Sequence, residues 1–442
     1  MALLKIETVD LQDILRALLG LALLIGFAFL FSSNKRKIDW RLVGIGLALQ
    51  ITFAVLITEF DLVARVFKKV SEGFVTFLGF SDAGAGFIFG NLIDPSQSWG
   101  FIFAFKVLPT IIFFSTVTAG LYYLGILQKI VFGIAWVMAR TMRLSGAESL
   151  SAAGNIFLGQ TEAPLLVRPF VPKMTRSELM CLMTGGMATI AGGVLAGFVA
   201  MLGTTDAEKA TFAFYLLSAS ILNAPAAIIM SKIIIPETEH DKIDKELKVN
   251  SESLGENLID ALSRGAADGL KLALNVGGML LAFIAIIAAL NYFLIAIGGA
   301  VGLNEKIVAS TGGQFSGFSL EYILGQIFRV FAWVMGAEWK DTLLVGSLLG
   351  QKTVINEFVA YQSLSENLKA GTTLSPKSIV IATYALCGFS NFSSIAIQVG
   401  GIGGMAPNQQ GALSKLGFRA LLAATLACMM TATIAGALMT DN

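Results

Sequence analysis

Residues 154–166 read Gly154-Asn155-Ile156-Phe157-Leu158-Gly159-Gln160-Thr161-Glu162-Ala163-Pro164-Leu165-Leu166. The stretch is apolar at both ends, yet it holds a carboxylate, two amides and a proline. An ionised carboxylate at membrane depth costs at least about 2.5 kcal/mol on insertion scales, so such a group is normally paired, hydrated or functional. Glu162 is therefore expected to face a cavity. Arg168 and Lys173 offer the other reading, in which they hold Glu162 near the membrane surface. Gln160 beside it supplies donors and acceptors and Thr161 a hydroxyl, a set able to read the edge of a heterocycle.

Working outward, the residues around this stretch are membrane-like. Of 442 residues, 55% are hydrophobic and 14% charged, far more apolar than a soluble protein of this length. Segments 17–34, 42–58 and 107–128 contain no charged residue, and about 20 apolar residues cross a hydrocarbon core as helix. Apolar runs predict eight spans, near 12–33, 41–59, 100–126, 178–202, 210–235, 271–299, 377–400 and 415–440. The expected fold class is an all-α integral membrane protein. Lys35, Arg36 and Lys37 follow the first run rather than preceding it, and no A-x-A site comes after, so it is expected to be retained as a helix rather than cleaved.

Net charge is +1, which points to no nucleic acid and no acidic partner. Basic residues orient the chain instead. Lys35, Arg36, Lys37 and Arg41, then Lys129, Arg140 and Arg143, then Arg168, Lys173 and Arg176 fall on one side, taken as cytoplasmic. Lys232, Lys242, Lys245, Lys248 and Arg264 share that side. Thr204 to Lys209 and Asp441 lie opposite, which puts both termini outside. Cys181, Cys387 and Cys428 sit in apolar stretches without CxxC spacing and read as packing residues. His240, the single histidine, belongs to a charged loop.

Two segments resist assignment as spans. Residues 147–172 and 341–363 are apolar but carry polar residues and a Gly-Gln pair in the middle. Non-helical backbone at membrane depth is tolerated only where protein buries it or water reaches it, so both read as re-entrant hairpins lining a cavity. Each leads, through Pro172-Lys173 and Pro376-Lys377, into a helix interrupted by small and polar residues. This divides the chain into N-terminal scaffold helices and an outer interfacial segment (1–99), a first repeat (100–235), a cytoplasmic loop with an amphipathic helix (236–270) and a second repeat (271–442). An odd number of crossings between the copies inverts the second one. In the linker, Leu254, Leu258, Ile259 and Leu262 recur at helical spacing among Glu256, Asp260 and Arg264, which suggests a helix on the membrane surface or beneath the bundle.

The second hairpin contains Asn356-Glu357-Phe358, and the interrupted helix after it reads Gly388-Phe389-Ser390-Asn391-Phe392-Ser393-Ser394. Glu357, Asn391 and Ser394 form a set able to hydrogen-bond a polyhydroxylated ring such as a ribose, with Phe389 against an apolar face. Ser390 and Ser393 serve equally well as small packing residues. Asn155, and Thr189 within Met187-Ala188-Thr189-Ile190-Ala191-Gly192-Gly193, are candidates for an ion site, because helix breaks free backbone carbonyls. There is no G-x-x-x-x-G-K-[ST] loop, no histidine-rich metal set and no nucleophile with a base partner, so an ion gradient is the expected driving force.

Three motifs carry a resemblance: Gly159-Gln160-Thr161-Glu162-Ala163-Pro164-Leu165, Asn356-Glu357-Phe358-Val359-Ala360-Tyr361 and Cys387-Gly388-Phe389-Ser390-Asn391-Phe392. Together they resemble the signatures of the concentrative nucleoside transporter family. The resemblance implies eight spanning helices, interfacial helices, and a homotrimer in a bacterial inner membrane whose transport domain moves as an elevator against a scaffold. It implies that Gln160, Thr161, Glu162 and Val194 contact the nucleobase, while Glu357, Asn391 and Ser394 hold the ribose with Phe389 nearby. Co-transported sodium would meet the side chains of Asn155 and Thr189 and the carbonyls of Leu158 and Ile190. Asn155 with the GQTEAP run favours sodium over protons, and Thr189 stands where relatives often have serine. The expected activity is sodium-driven nucleoside import, uridine included, with no enzyme activity. The rivals are a proton-coupled nucleoside or nucleobase transporter of the same fold, and more remotely a channel or intramembrane enzyme.

Overall fold

The computed structural model describes residues 11–94, 97–98, 100–248, 255–371 and 374–438. Leu254 and Asp441, used above, lie outside them. Among the described residues the structure is helical throughout. Three helices come first: α1 (Leu11–Leu30), α2 (Trp40–Glu59) and α3 (Asp61–Phe89). There follow α4 (Phe103–Tyr123), α5 (Ile126–Met142), α6 (Gly146–Gly154), α7 (Arg176–Ala188), α8 (Gly192–Leu202) and α9 (Asp206–Ile234). The remainder comprises α10 (Leu258–Ala300), α11 (Leu303–Ser310), α12 (Leu320–Val334), α13 (Thr342–Val354), α14 (Glu357–Lys369), α15 (Pro376–Leu386), α16 (Phe392–Met405) and α17 (Gln410–Leu438). One order thus occurs twice. A long helix (α4, α10) precedes an amphipathic one (α5, α12), a hairpin (from α6; α13–α14), a broken pair (α7–α8; α15–α16) and a closing helix (α9, α17).

Among the described residues eight helical segments, the α7–α8 pair counted as one, are long and apolar enough to cross a membrane, as many as expected, but the set differs. Residues 377–400 form two helices, because Cys387 to Asn391 interrupt them and Gly388 takes a φ of +154°. In their place the 61–93 segment qualifies by length and composition, although Asp61, Arg65, Lys68, Lys69, Glu72 and Asp82 punctuate it. The 100–126 run ends earlier, at Tyr123, since Gly125 in the left-handed region turns the chain into α5. The second hairpin runs on to Lys369. The amphipathic linker is not a separate surface helix: from Leu258 it is continuous with the following span as 43-residue α10.

Local chemistry sets the helix ends. Ser145 caps α6 reciprocally with Glu148, and Thr175 caps α7 with Glu178. Each pair satisfies backbone donors that would otherwise be orphaned in an apolar surround. Lys232, counted above among loop charges, is instead buried on α9, paired with Glu148 and donating to Ser177 Oγ at 2.9 Å. Arg264 lies within α10.

Two layers result. The 18-residue apolar windows of Arg176–Leu202, Asp206–Ile234 and Pro407–Leu438 are 83, 78 and 78% buried, whereas that of Leu258–Ala300 is 6% buried. Around this inner trio, α1 and α2 pack on α9 and α17. Outside it, α4 lies along α10. There, a Cβ at Gly265 would lie 2.6 Å from Ala119 Cβ, and one at Gly269 would lie 2.8 Å from Ser115 Cβ. That Gly-x-x-x-Gly spacing allows the close backbone approach on which membrane helices rely.

Candidate substrate and ion site

The two broken pairs meet at their interruptions. Thr189 ends α7 in an extended conformation and Ala191 precedes α8 in another. Gly192 begins α8 because an added Cβ would sit 2.4 Å from the Phe114 ring. At the second break, a Cβ on Gly388 would lie 2.7 Å from Ala188 O, and Phe389 N donates to Thr189 O at 3.3 Å. The carbonyls freed here are held by two side chains. Asn223 Nδ2 on α9 donates to Ala188 O at 2.8 Å and to Cys387 O at 2.7 Å. Cys428 Sγ on α17 donates to the same two oxygens at 3.5 and 3.3 Å.

Hairpin 1 descends along α6 and returns through short 3-10 turns at Ala163–Val167 and Val171–Lys173. Asn155, fully buried at the end of α6, has an Oδ1 with no hydrogen-bond partner. Its Nδ2 lies 3.0 Å from where a Cβ on Gly185 would be, and Thr189 Oγ1 donates to Gly185 O at 2.9 Å. Asn155 and Thr189 therefore both abut Gly185. The Leu158 and Ile190 carbonyls, both in irregular backbone, accept no hydrogen bond among the described residues. A buried acceptor left open is costly unless something fills it, and amide, hydroxyl and carbonyl oxygens are the donor chemistry that a hard monovalent cation takes.

One step along, Gln160 Nε2 donates to Ser394 Oγ at 3.2 Å. Asn391 caps α16 by accepting from Ser394 N at 2.9 Å, and its Nδ2 donates to Glu357 Oε2 at 2.8 Å. A continuous polar chain thus joins Gln160 on hairpin 1, Ser394 and Asn391 on α16, and Glu357 on hairpin 2. Glu357, Asn391 and Ser394 are buried, Thr161 is half-buried and Glu162 exposed. No hydrogen bond joins Glu162 to Glu357 among the described residues. Val194 is buried in the first turn of α8, and Phe389 is buried at the second break. Ser390 Oγ is buried without a partner.

Sequence reading missed three polar residues here. Lys352, buried on α13, donates to Ala385 O at 2.8 Å near the second break. A charge in an apolar stretch was its signal, the same one that exposed Glu162. Gln398 continues the α16 stripe four residues past Ser394, so helical spacing carried the signal. Asn223 sits among alanines on α9 and carried none.

Three family profiles cover the chain: "Na+ dependent nucleoside transporter N-terminus" at residues 19–92, "Nucleoside recognition" at 104–205 and "Na+ dependent nucleoside transporter C-terminus" at 215–436. The chain belongs to the concentrative nucleoside transporter family. An uncharacterized transporter of Haemophilus influenzae is 40% identical over 96% of this chain and 98% of its own length. Sodium/nucleoside cotransporter 1 of Mus musculus is 36% identical over 98% of this chain and 65% of the mouse protein. CNTnw, in a structure described as an inward-facing substrate-bound state, is 38% identical, with a TM-score of 0.87 over 96% of this chain and 98% of CNTnw. Other CNTnw structures like this one are described as outward-facing and intermediate states. As a member of this sodium-dependent nucleoside transporter family, the protein is a multi-pass membrane transporter with the family's helical fold, and not an enzyme.

Proposed function

We propose that this protein is a sodium–nucleoside symporter of a bacterial inner membrane, importing nucleosides down the sodium gradient by elevator-type alternating access. The observation that carries the proposal is the polar chain Gln160–Ser394–Asn391–Glu357, which links both hairpins through a broken helix. A nucleoside is long enough to lie along such a chain, with its base against Gln160, Thr161, Glu162 and Val194 and its ribose against Glu357, Asn391, Ser394 and Phe389. Sodium takes the open oxygen of Asn155, the hydroxyl of Thr189 and the carbonyls of Leu158 and Ile190. Bound there, it orders the irregular half of hairpin 1 beside the base-reading residues, which couples the ion to the substrate.

The division of labour follows from burial. The unit of α7–α9, α15–α17 and the two hairpins, built around the well-buried α7–α9 and α17, moves with its cargo. α1–α3, α4 and α10 form the scaffold, and the exposed apolar side of α10, including Leu274, Leu281 and Phe293, faces lipid and neighbouring protomers in a homotrimer. The two repeats are inverted and both termini face outward. The experiment is uptake of labelled uridine into liposomes containing the purified protein, with an inward sodium gradient set against an equal choline gradient. Accumulation only with sodium is expected. Equal accumulation in choline would transfer the coupling to protons, and absence of uptake of any nucleoside would end the proposal.

A further inference from the structure

Gln398 lies four residues beyond Ser394 and seven beyond Asn391, so α16 presents all three on one side, and all three are buried. Gln398 Nε2 donates both to Met183 O at 3.1 Å and to Gln160 Oε1 at 3.2 Å. A peptide carbonyl can only accept, so Met183 fixes which end of the Gln398 amide turns toward α7. That same NH2 then takes the oxygen of Gln160. Gln160 is left with its own NH2 pointing toward Ser394 and the proposed base site. The arrangement needs Gly186, where a Cβ would sit 2.6 Å from Gln398 Nε2 and 3.1 Å from Gln160 Cβ.

A carboxamide is ordinarily a two-way reader, because half a turn of its terminal torsion exchanges donor for acceptor. We propose that Gln398 is a positioning residue that removes this freedom, fixing Gln160 as a hydrogen-bond donor and thereby selecting nucleosides whose base presents an oxo group over those presenting an amino group. This rests on the nucleoside reading above. Uridine and cytidine differ at this point, an oxo group against an amino group on the same ring, and so form the diagnostic pair.

The test measures kcat/KM for both nucleosides in proteoliposomes, for wild type, Gln398→Met, Gln160→Met and the double variant. With the pin removed, the uridine-to-cytidine ratio should fall by about tenfold, the scale of one well-formed hydrogen bond. The sodium half-saturation should stay unchanged. In the Gln160→Met background, adding Gln398→Met should leave the ratio where it is, since no amide remains to orient. An equal loss for both nucleosides would show a packing role and overturn the proposal, as would a further change of ratio in the double variant. If Gln398→Met does not accumulate in the membrane, Gln398→Glu is read in the same assay: a lost ratio supports the pin and a retained one overturns it. Wild-type protein that takes up neither nucleoside overturns the nucleoside reading along with this one, whereas uptake with an unchanged ratio in the variants overturns this one alone.

Discussion

The two hairpins occupy corresponding places in the repeats and are built in opposite ways. Hairpin 2 is two regular helices, α13 and α14, with Asn356 capping the second by accepting from Val359 N at 3.0 Å. Its carboxylate is buried and already bonded to Asn391. It is also fastened to the first repeat, where the Tyr361 and Phe358 rings lie 4.3 and 4.7 Å from that of Phe198 and Ser365 Oγ donates to Met201 O at 2.8 Å. Hairpin 1 has one short helix and a return made of turns, an open oxygen at Asn155 and an exposed carboxylate at Glu162. Regular backbone keeps its carbonyls occupied, while irregular backbone leaves them for a ligand. On the proposed sodium site, the first hairpin is the one whose order depends on what it binds, and the second is a finished surface.

The largest effect that would break this contrast lies at Glu357. Glu357→Gln keeps the shape but removes the charged acceptor, and should lower kcat/KM for uridine by about 100-fold, the scale of a lost charge-assisted hydrogen bond, with the amount of protein in the membrane unchanged. Near-normal uptake would take Glu357 out of the site. Next, Asn155→Ala should raise the sodium half-saturation about tenfold while changing uridine KM much less at saturating sodium. A sodium dependence identical to wild type would place the ion elsewhere. Asn356→Ala, which removes the cap of the returning helix, an element hairpin 1 does not have, should cost about 1 kcal/mol of thermal stability in detergent without altering sodium dependence. A shifted sodium dependence would mean that hairpin 2 is not the preset element. The smallest effect sharpens the comparison directly. With sodium at about twice its half-saturation, linkage should slow amide hydrogen exchange about threefold across residues 155–162. Exchange across 357–364 should be unmoved, and equal protection of both hairpins would contradict their assigned roles.

Much of this was legible because the bilayer penalises polar groups in a sequence-readable way. Glu162 and Glu357 stood out against apolar neighbours, and both fall in the hairpins. The same penalty marked Lys352, but its partner is the backbone carbonyl of Ala385, which no local pattern points to. The breaks at Thr189 and Gly388 were legible from glycine and short polar residues, although the second also divided a run that looked long enough to cross. What remained hidden depends on partners distant in sequence. The Gln160 to Ser394 bond and the Asn223 bridge join residues that no local pattern relates, and α10 concealed its length because one amphipathic turn flows into an apolar helix without a stop signal.

Asn223 carries one consequence further. Its single NH2 group holds the carbonyl at the end of α7 and the carbonyl just after α15, one from each break. A transporter that opened by prising its two repeats apart would have to part them at this point and break the two bonds that cross it, from Asn223 to Cys387 O and from Cys428 to Ala188 O. The seam is thus stitched where a rocking mechanism would need a slit, which supports the proposed elevator, in which the holder of the cargo would travel as one piece with the hairpin tips as its doors.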